Sequence, residues 1–157
     1  MKKTIAFLSL LFGALVLAPS AAHVLEMHQK MQLARQDYGI VQQIYRGWAF
    51  LGVLQLAALV VTFLKLLQEK GVVFKLTLAA LLCYVAMLTN FFTFTFPVNR
   101  VTRNWAYLPA SWMQLRQQWE YSHAVSAGLV LIAFVLLLAS VLLDKDTPVT
   151  GQRPLSI

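Results

Sequence analysis

Two short stretches of this chain carry side chains able to do chemistry: Glu120-Tyr121-Ser122-His123 and His23-Val24-Leu25-Glu26. Each sets a carboxylate and an imidazole three residues apart, which on a helix is one face. Such a set could do two kinds of chemistry. Two imidazoles and two carboxylates can hold a first-row divalent metal such as zinc or iron. A neutral imidazole beside a carboxylate can instead act as a base, with no cofactor. His23, Glu26, Glu120 and His123 are therefore a metal set in one reading and a catalytic set in the other. A plainer reading pairs Glu26 with Lys30 and Glu120 with Arg116 at helical spacing, each pair worth about 0.2–0.5 kcal/mol, and leaves both histidines on a solvated rim.

The elements that must position these side chains follow from composition. The chain has 157 residues, of which 59% are hydrophobic and 12% charged. A soluble domain is nearer a quarter charged. The net charge of +7 is scattered between apolar runs. It forms no stripe, so the expected partner is a lipid bilayer and not nucleic acid. The lone cysteine, Cys83, excludes an intrachain disulfide and is no metal signature.

Apolar runs predict membrane spans over residues 4–24, 47–67, 72–96 and 122–143. Short connections make this an all-α, up-down-up-down bundle of four transmembrane helices, one domain over residues 1–143. A polar tail expected to be disordered covers 144–157. Residues 1–22 also read as a signal peptide, with Lys2 and Lys3 before an apolar core and Ser20-Ala21-Ala22 before His23. Asp37 is the expected N-cap of the next helix. Gly71 is the expected stop of the second span, and Pro97 the end of the third. The short turn between spans two and three holds Lys65, Lys70 and Lys75. It is expected on the cytoplasmic side of a bacterial-type inner membrane, with both termini.

The longest polar insert, Trp105 to His123, carries three of the four tryptophans. Ser111 and Gln114 have capping-box spacing, so a helix is predicted to start at the interface over 112–121 and to run on into the fourth span. Trp112, Arg116 and Trp119 then share a face. Helices one and four are antiparallel neighbours in such a bundle, so the two His/Glu pairs match in depth: each Glu is shallower and each His deeper. Asn90 lies about 10 Å inside the third span at helical rise.

The segments HVLEMHQKM, DYGIVQQIYRGW, FPVNRVTRNW and W-x2-LR-x2-WEYSHAVS resemble the anthrone oxygenase-like family of small four-helix membrane proteins. The resemblance runs from about His23 to His123. It implies a first helix retained in the bundle, and marks Asn99, Trp112, Arg116, Trp119 and His123 as positions of interest. It also implies, from fungal members, oxygenation of an anthrone to an anthraquinone without an added cofactor. That chemistry needs a base, an aromatic slot and donors for an oxyanion. His123 or His23 could be the base. Trp112 and Trp119 could wall the slot, and Arg116, Asn90 or Asn99 could hold the anion. Three functions remain open at this point: an oxidoreductase acting on a lipophilic phenol, quinol or anthrone at the outer membrane face, a metal-binding protein, or a non-enzymatic accessory protein. Oligomers fit all three. No glycine-rich phosphate loop and no nucleophile-elbow serine is present.

Overall fold

A computed structural model describes residues 1–144. Except for Asp144, the tail over 144–157 lies outside the described residues. Those residues form an all-α fold without strands. Helix α1 (Lys2–Lys30) leads to a short α2 (Arg35–Gln42) and two 3-10 turns (Gln43–Tyr45 and Trp48–Phe50). Then come α3 (Leu51–Leu66), α4 (Gly71–Asn90), a π-helical turn (Phe91–Thr95), α5 (Phe96–Val101) and α6 (Trp112–Leu142). Four segments are long and apolar enough to cross a membrane: Lys2–Lys30, Trp48–Leu66, Gly71–Val101 and Trp112–Leu142. The chain is therefore read as a multi-pass membrane protein.

Small residues let the four helices approach one another. Ala58, Ala80 and Ala133 are buried with Val16, Tyr84, Met87, Val130 and Leu137 in the mid-bundle core. Gly13 lies where α1 passes close to α4 and α6. A Cβ there would stand 3.0 Å from both Tyr84 Oη and the Phe134 ring.

Both helix-connecting ends bury charge. At one end Lys65 Nζ lies 3.0 Å from Glu69 Oε1, Lys2 Nζ 3.0 Å from Glu69 Oε2, and Lys2 Nζ 2.9 Å from Asp144 Oδ1. The start of α1, the α3–α4 turn and the end of α6 therefore meet at this lysine end, as an up-down-up-down path requires. His23 and His123 sit at the opposite end.

Several local expectations are corrected. Pro97 does not end the third long helix, which continues to Val101. The amide of Phe96 donates to the Phe91 carbonyl, one residue further back than in an α-helix. This wider turn absorbs the bond that proline cannot make and the bulk of its ring. Asp37 lies inside the first turn of α2, and Ala34 is the N-cap. Ser111 is the N-cap of α6 but makes no side-chain capping bond, because its backbone (φ −82°, ψ 18°) is not extended as a capping box needs. Helix α1 overruns its predicted end by more than a turn, as far as Lys30.

Candidate functional site

The chain between α1 and α3 folds back over the histidine end. Tyr38 and Gln42 of α2 are buried there, although both lie in a polar stretch. Tyr38 Oη donates to Glu120 Oε1 at 3.0 Å, and Gln42 Nε2 donates to the same oxygen at 3.2 Å. Lys30, 3% exposed, sends its ammonium between the two carboxylates. It lies 3.2 Å from Glu120 Oε2 and 3.6 Å from Glu26 Oε2, and donates to Tyr45 Oη at 2.9 Å. Tyr45 Oη donates to Glu26. Burial, then contact with Glu120 at Tyr38 and with Glu26 at Tyr45, pushes both phenols well above their ordinary pKa, so they remain donors.

Lys30 thus stands between the two carboxylates of the expected metal set. Among the described residues no group of three or more His, Cys, Asp or Glu side chains is placed to hold an ion. The four-ligand set of His23, Glu26, Glu120 and His123 is not assembled. A lysine cation already compensates the two carboxylates, and each carboxylate also accepts from a tyrosine. The Glu26–Lys30 pair is present, but the Glu120–Arg116 pair is not. Arg116 Nη1 instead donates to the carbonyls of Leu33 (3.0 Å) and Lys30 (3.4 Å). It caps the C-terminal end of α1, where the helix dipole favours a cation. Its guanidinium also stacks over Trp112, 4.7 Å from the ring centroid.

The imidazoles do come together. The rings of His23 and His123 are 4.4 Å apart between centroids, and Trp119 stacks on His123 at 3.9 Å. His23 also touches Tyr45 at 4.6 Å and Trp48 at 5.7 Å. His123 Nδ1 lies 2.8 Å from the Trp119 carbonyl oxygen. A carbonyl can only accept, so Nδ1 carries the proton and, in the neutral ring, Nε2 keeps its lone pair.

Both histidines line a cavity of about 670 Å³ enclosed by α1, α3, the α4–π–α5 helix and α6. That is within the usual range for a small-molecule site. Asn99 and Trp119 line it too. Trp119 Nε1 donates to Asn99 Oδ1 at 2.9 Å, which fixes the amide and turns its NH2 into the free donor. Asn90, Trp112 and Arg116 lie outside the cavity wall. Asn90 instead donates to the Ser122 carbonyl at 2.7 Å and to Ser126 Oγ at 2.9 Å, fastening α4 to α6. Glu26 and Glu120 also lie behind the wall, in the Lys30 network.

Sequence reasoning missed three features of this site. Tyr45 and Gln42 are wall residues drawn from what reads as an interfacial loop. Arg103, Asn104 and Trp105 form a left-handed turn, with φ of 51°, 54° and 62°. A left-handed residue with a Cβ costs roughly 1–2 kcal/mol, so three in a row are held only by their surroundings. Thr102 Oγ1 accepts from the Trp105 amide at 3.1 Å, and the Asn104 amide reaches the Asn99 carbonyl at 2.7 Å. The turn drives Trp105 into the wall, 4% exposed, with Nε1 unpartnered. Third, the π turn supplies Phe91, Phe92 and Thr95 to the wall. The sequence does carry a signal for it: a proline directly after an aromatic run in an otherwise unbroken span.

No protein-family model, curated protein or solved structure matches the chain.

Proposed function

We propose that this membrane protein is a cofactor-independent oxidoreductase acting on a lipophilic phenol, anthrone or quinol bound in the cavity. The observation that carries the reading is the His123 tautomer. An imidazole with Nδ1–H committed to the Trp119 carbonyl, on the wall of an aromatic cavity, offers Nε2 as a base. The Asn99 NH2 supplies a donor for an oxyanion. For an anthrone, Nε2 takes a proton from the ring CH2. The enolate passes an electron to dioxygen, and the pair combines at that carbon. The peroxide takes the proton back from His123, and loss of water leaves the carbonyl. One dioxygen is consumed for each quinone and water formed.

The test is oxygen uptake by purified protein in mild detergent with anthrone. The expected stoichiometry is one dioxygen per anthraquinone, without free hydrogen peroxide. Binding without turnover across anthrones and quinols would establish a carrier or accessory protein instead.

We further propose that the lysine end is cytoplasmic, with both termini inside and the cavity toward the outer face. The lysine-dense α3–α4 turn supports this. A cysteine at Gln68 should resist an impermeant thiol reagent in intact cells, and one at Gln117 should react. The reverse labelling pattern would invert the topology.

A further inference from the structure

The cavity wall changes character along its length. At the outer end it is polar, with Arg46, Arg103 and Asn104. In the middle stand His23, His123 and Asn99. Toward the bilayer interior it is made by Val53, Leu56 and Phe92, which are 69%, 56% and 61% exposed. Side chains that both line a cavity and stand open to the surroundings mark an opening.

One observation sets the depth of that opening and two its room. Val53 and Leu56 lie five and eight residues beyond Trp48, where the second span starts. At helical rise that is about 8–12 Å deep. Helices α3 and α4 join through a tight turn at the lysine end, yet at the other end they form separate walls of the cavity. A Cβ added at Gly52, on the cavity face of α3, would meet nothing within 4 Å.

We infer that the ligand is an amphiphile: a phenolic or quinol head seated at the histidine pair, carrying a long hydrocarbon chain that leaves between α3 and the π turn into the bilayer. This rests on the cavity reading of the preceding subsection and narrows its substrate class. A compact tricycle would fill the head site and leave the side opening empty, whereas a chain-bearing phenol or quinol fills both. The chain also anchors the head at a depth set by the bilayer, which lowers the ordering cost of binding.

The experiment uses the full chain in lipid nanodiscs and a decylhydroquinone with a photoreactive diazirine near the chain end. The expected result is crosslinking to Val53, Leu56 and Phe92 that excess unlabelled decylhydroquinone displaces. A second measurement uses Gly52→Trp, which fills open space at the side opening. Affinity for decylhydroquinone, referred to its concentration in the bilayer, should fall at least tenfold. Affinity for methylhydroquinone, read by tryptophan quenching, should hold within a factor of about two. Displaceable crosslinks confined to the Arg46–Gly47 and Arg103 side overturn the tail route but leave the head site standing. Equal loss of both ligands in Gly52→Trp does the same. Absence of displaceable crosslinks, together with no methylhydroquinone binding, overturns the head site as well.

Discussion

The two ends of the bundle solve one problem in different ways. Each buries a lysine against a carboxylate: Lys65 with Glu69 at one end, Lys30 with Glu120 at the other. The lysine end closes on itself. Glu69 keeps both oxygens engaged by lysines, and Lys65 has a further acceptor in Thr77 at 3.5 Å. The histidine end has a comparable network and yet leaves His23 Nδ1, Gln42 Oε1, Trp105 Nε1 and Arg116 Nε unpartnered among its buried atoms, while toward the lysine end, among the described residues, Thr62 Oγ1 alone is in that state. His23, Gln42 and Trp105 line the cavity. Buried polar groups without partners are costly unless something else meets them. One end is a closed latch, and the other is a latch with a cavity beside it.

The largest expected effect separates chemistry from scaffolding. His123→Ala should lower anthrone or quinol turnover by roughly 10²–10⁴-fold, the usual contribution of a positioned base. Melting in detergent should change little, since the side chain is only partly buried and its hydrogen bond is to its own helix. Unchanged turnover in a folded His123→Ala protein removes this residue from the mechanism.

Next comes the difference between the two lysines. Lys30→Met strands Glu120, a buried carboxylate left with only Tyr38 and Gln42, and should cost about 3–5 kcal/mol. Lys65→Met leaves Glu69 still paired with Lys2, so its loss should be clearly smaller. Denaturation of both variants in one detergent checks the ranking. A larger loss for Lys65→Met would mean that the lysine end carries the fold.

Asn90→Ala should cost about 1–2 kcal/mol, the range for hydrogen bonds between membrane helices, because two bonds to α6 disappear. Affinity for a quinol should not move. A selective loss of affinity would return Asn90 to the binding site.

The fold was legible because span length and apolar runs are set by bilayer thickness, and short connections force antiparallel neighbours. The meeting of His23 with His123 followed from the same logic, since matched depth on adjacent helices needs no side-chain detail. What was hidden depended on backbone geometry or long-range contact. Nothing local announces that Tyr38 and Gln42 are buried: their burial comes from α2 folding over the bundle end. Arg103, Asn104 and Trp105 enter a left-handed turn that no propensity favours. Pro97 reads as a stop because the general rule for prolines outweighs the weaker signal of a proline after an aromatic run, which the π turn answers. Lys30 reads as half of a surface pair with Glu26, and that pair exists, but its second carboxylate comes from α6, far along the chain.

The smallest effect tests whether the lysine end is as redundant as its geometry implies. The Lys2 side chain is 46% exposed, so its bridges to Glu69 and Asp144 are screened by water and headgroups. Glu69 itself is buried, which would argue for a large loss if Lys2 were its one partner. Lys65 holds the other oxygen of that carboxylate at 3.0 Å, so charge compensation survives without Lys2. Lys2→Ala alone should therefore cost about 0.2–1 kcal/mol, the range for exposed pairs. Added to Lys65→Met it should cost distinctly more, because Glu69 then loses its last cation. A double-mutant cycle in detergent measures this coupling. Strict additivity would show that the two lysines do not share Glu69, and that the lysine end is not the self-satisfied latch against which the histidine end stands out.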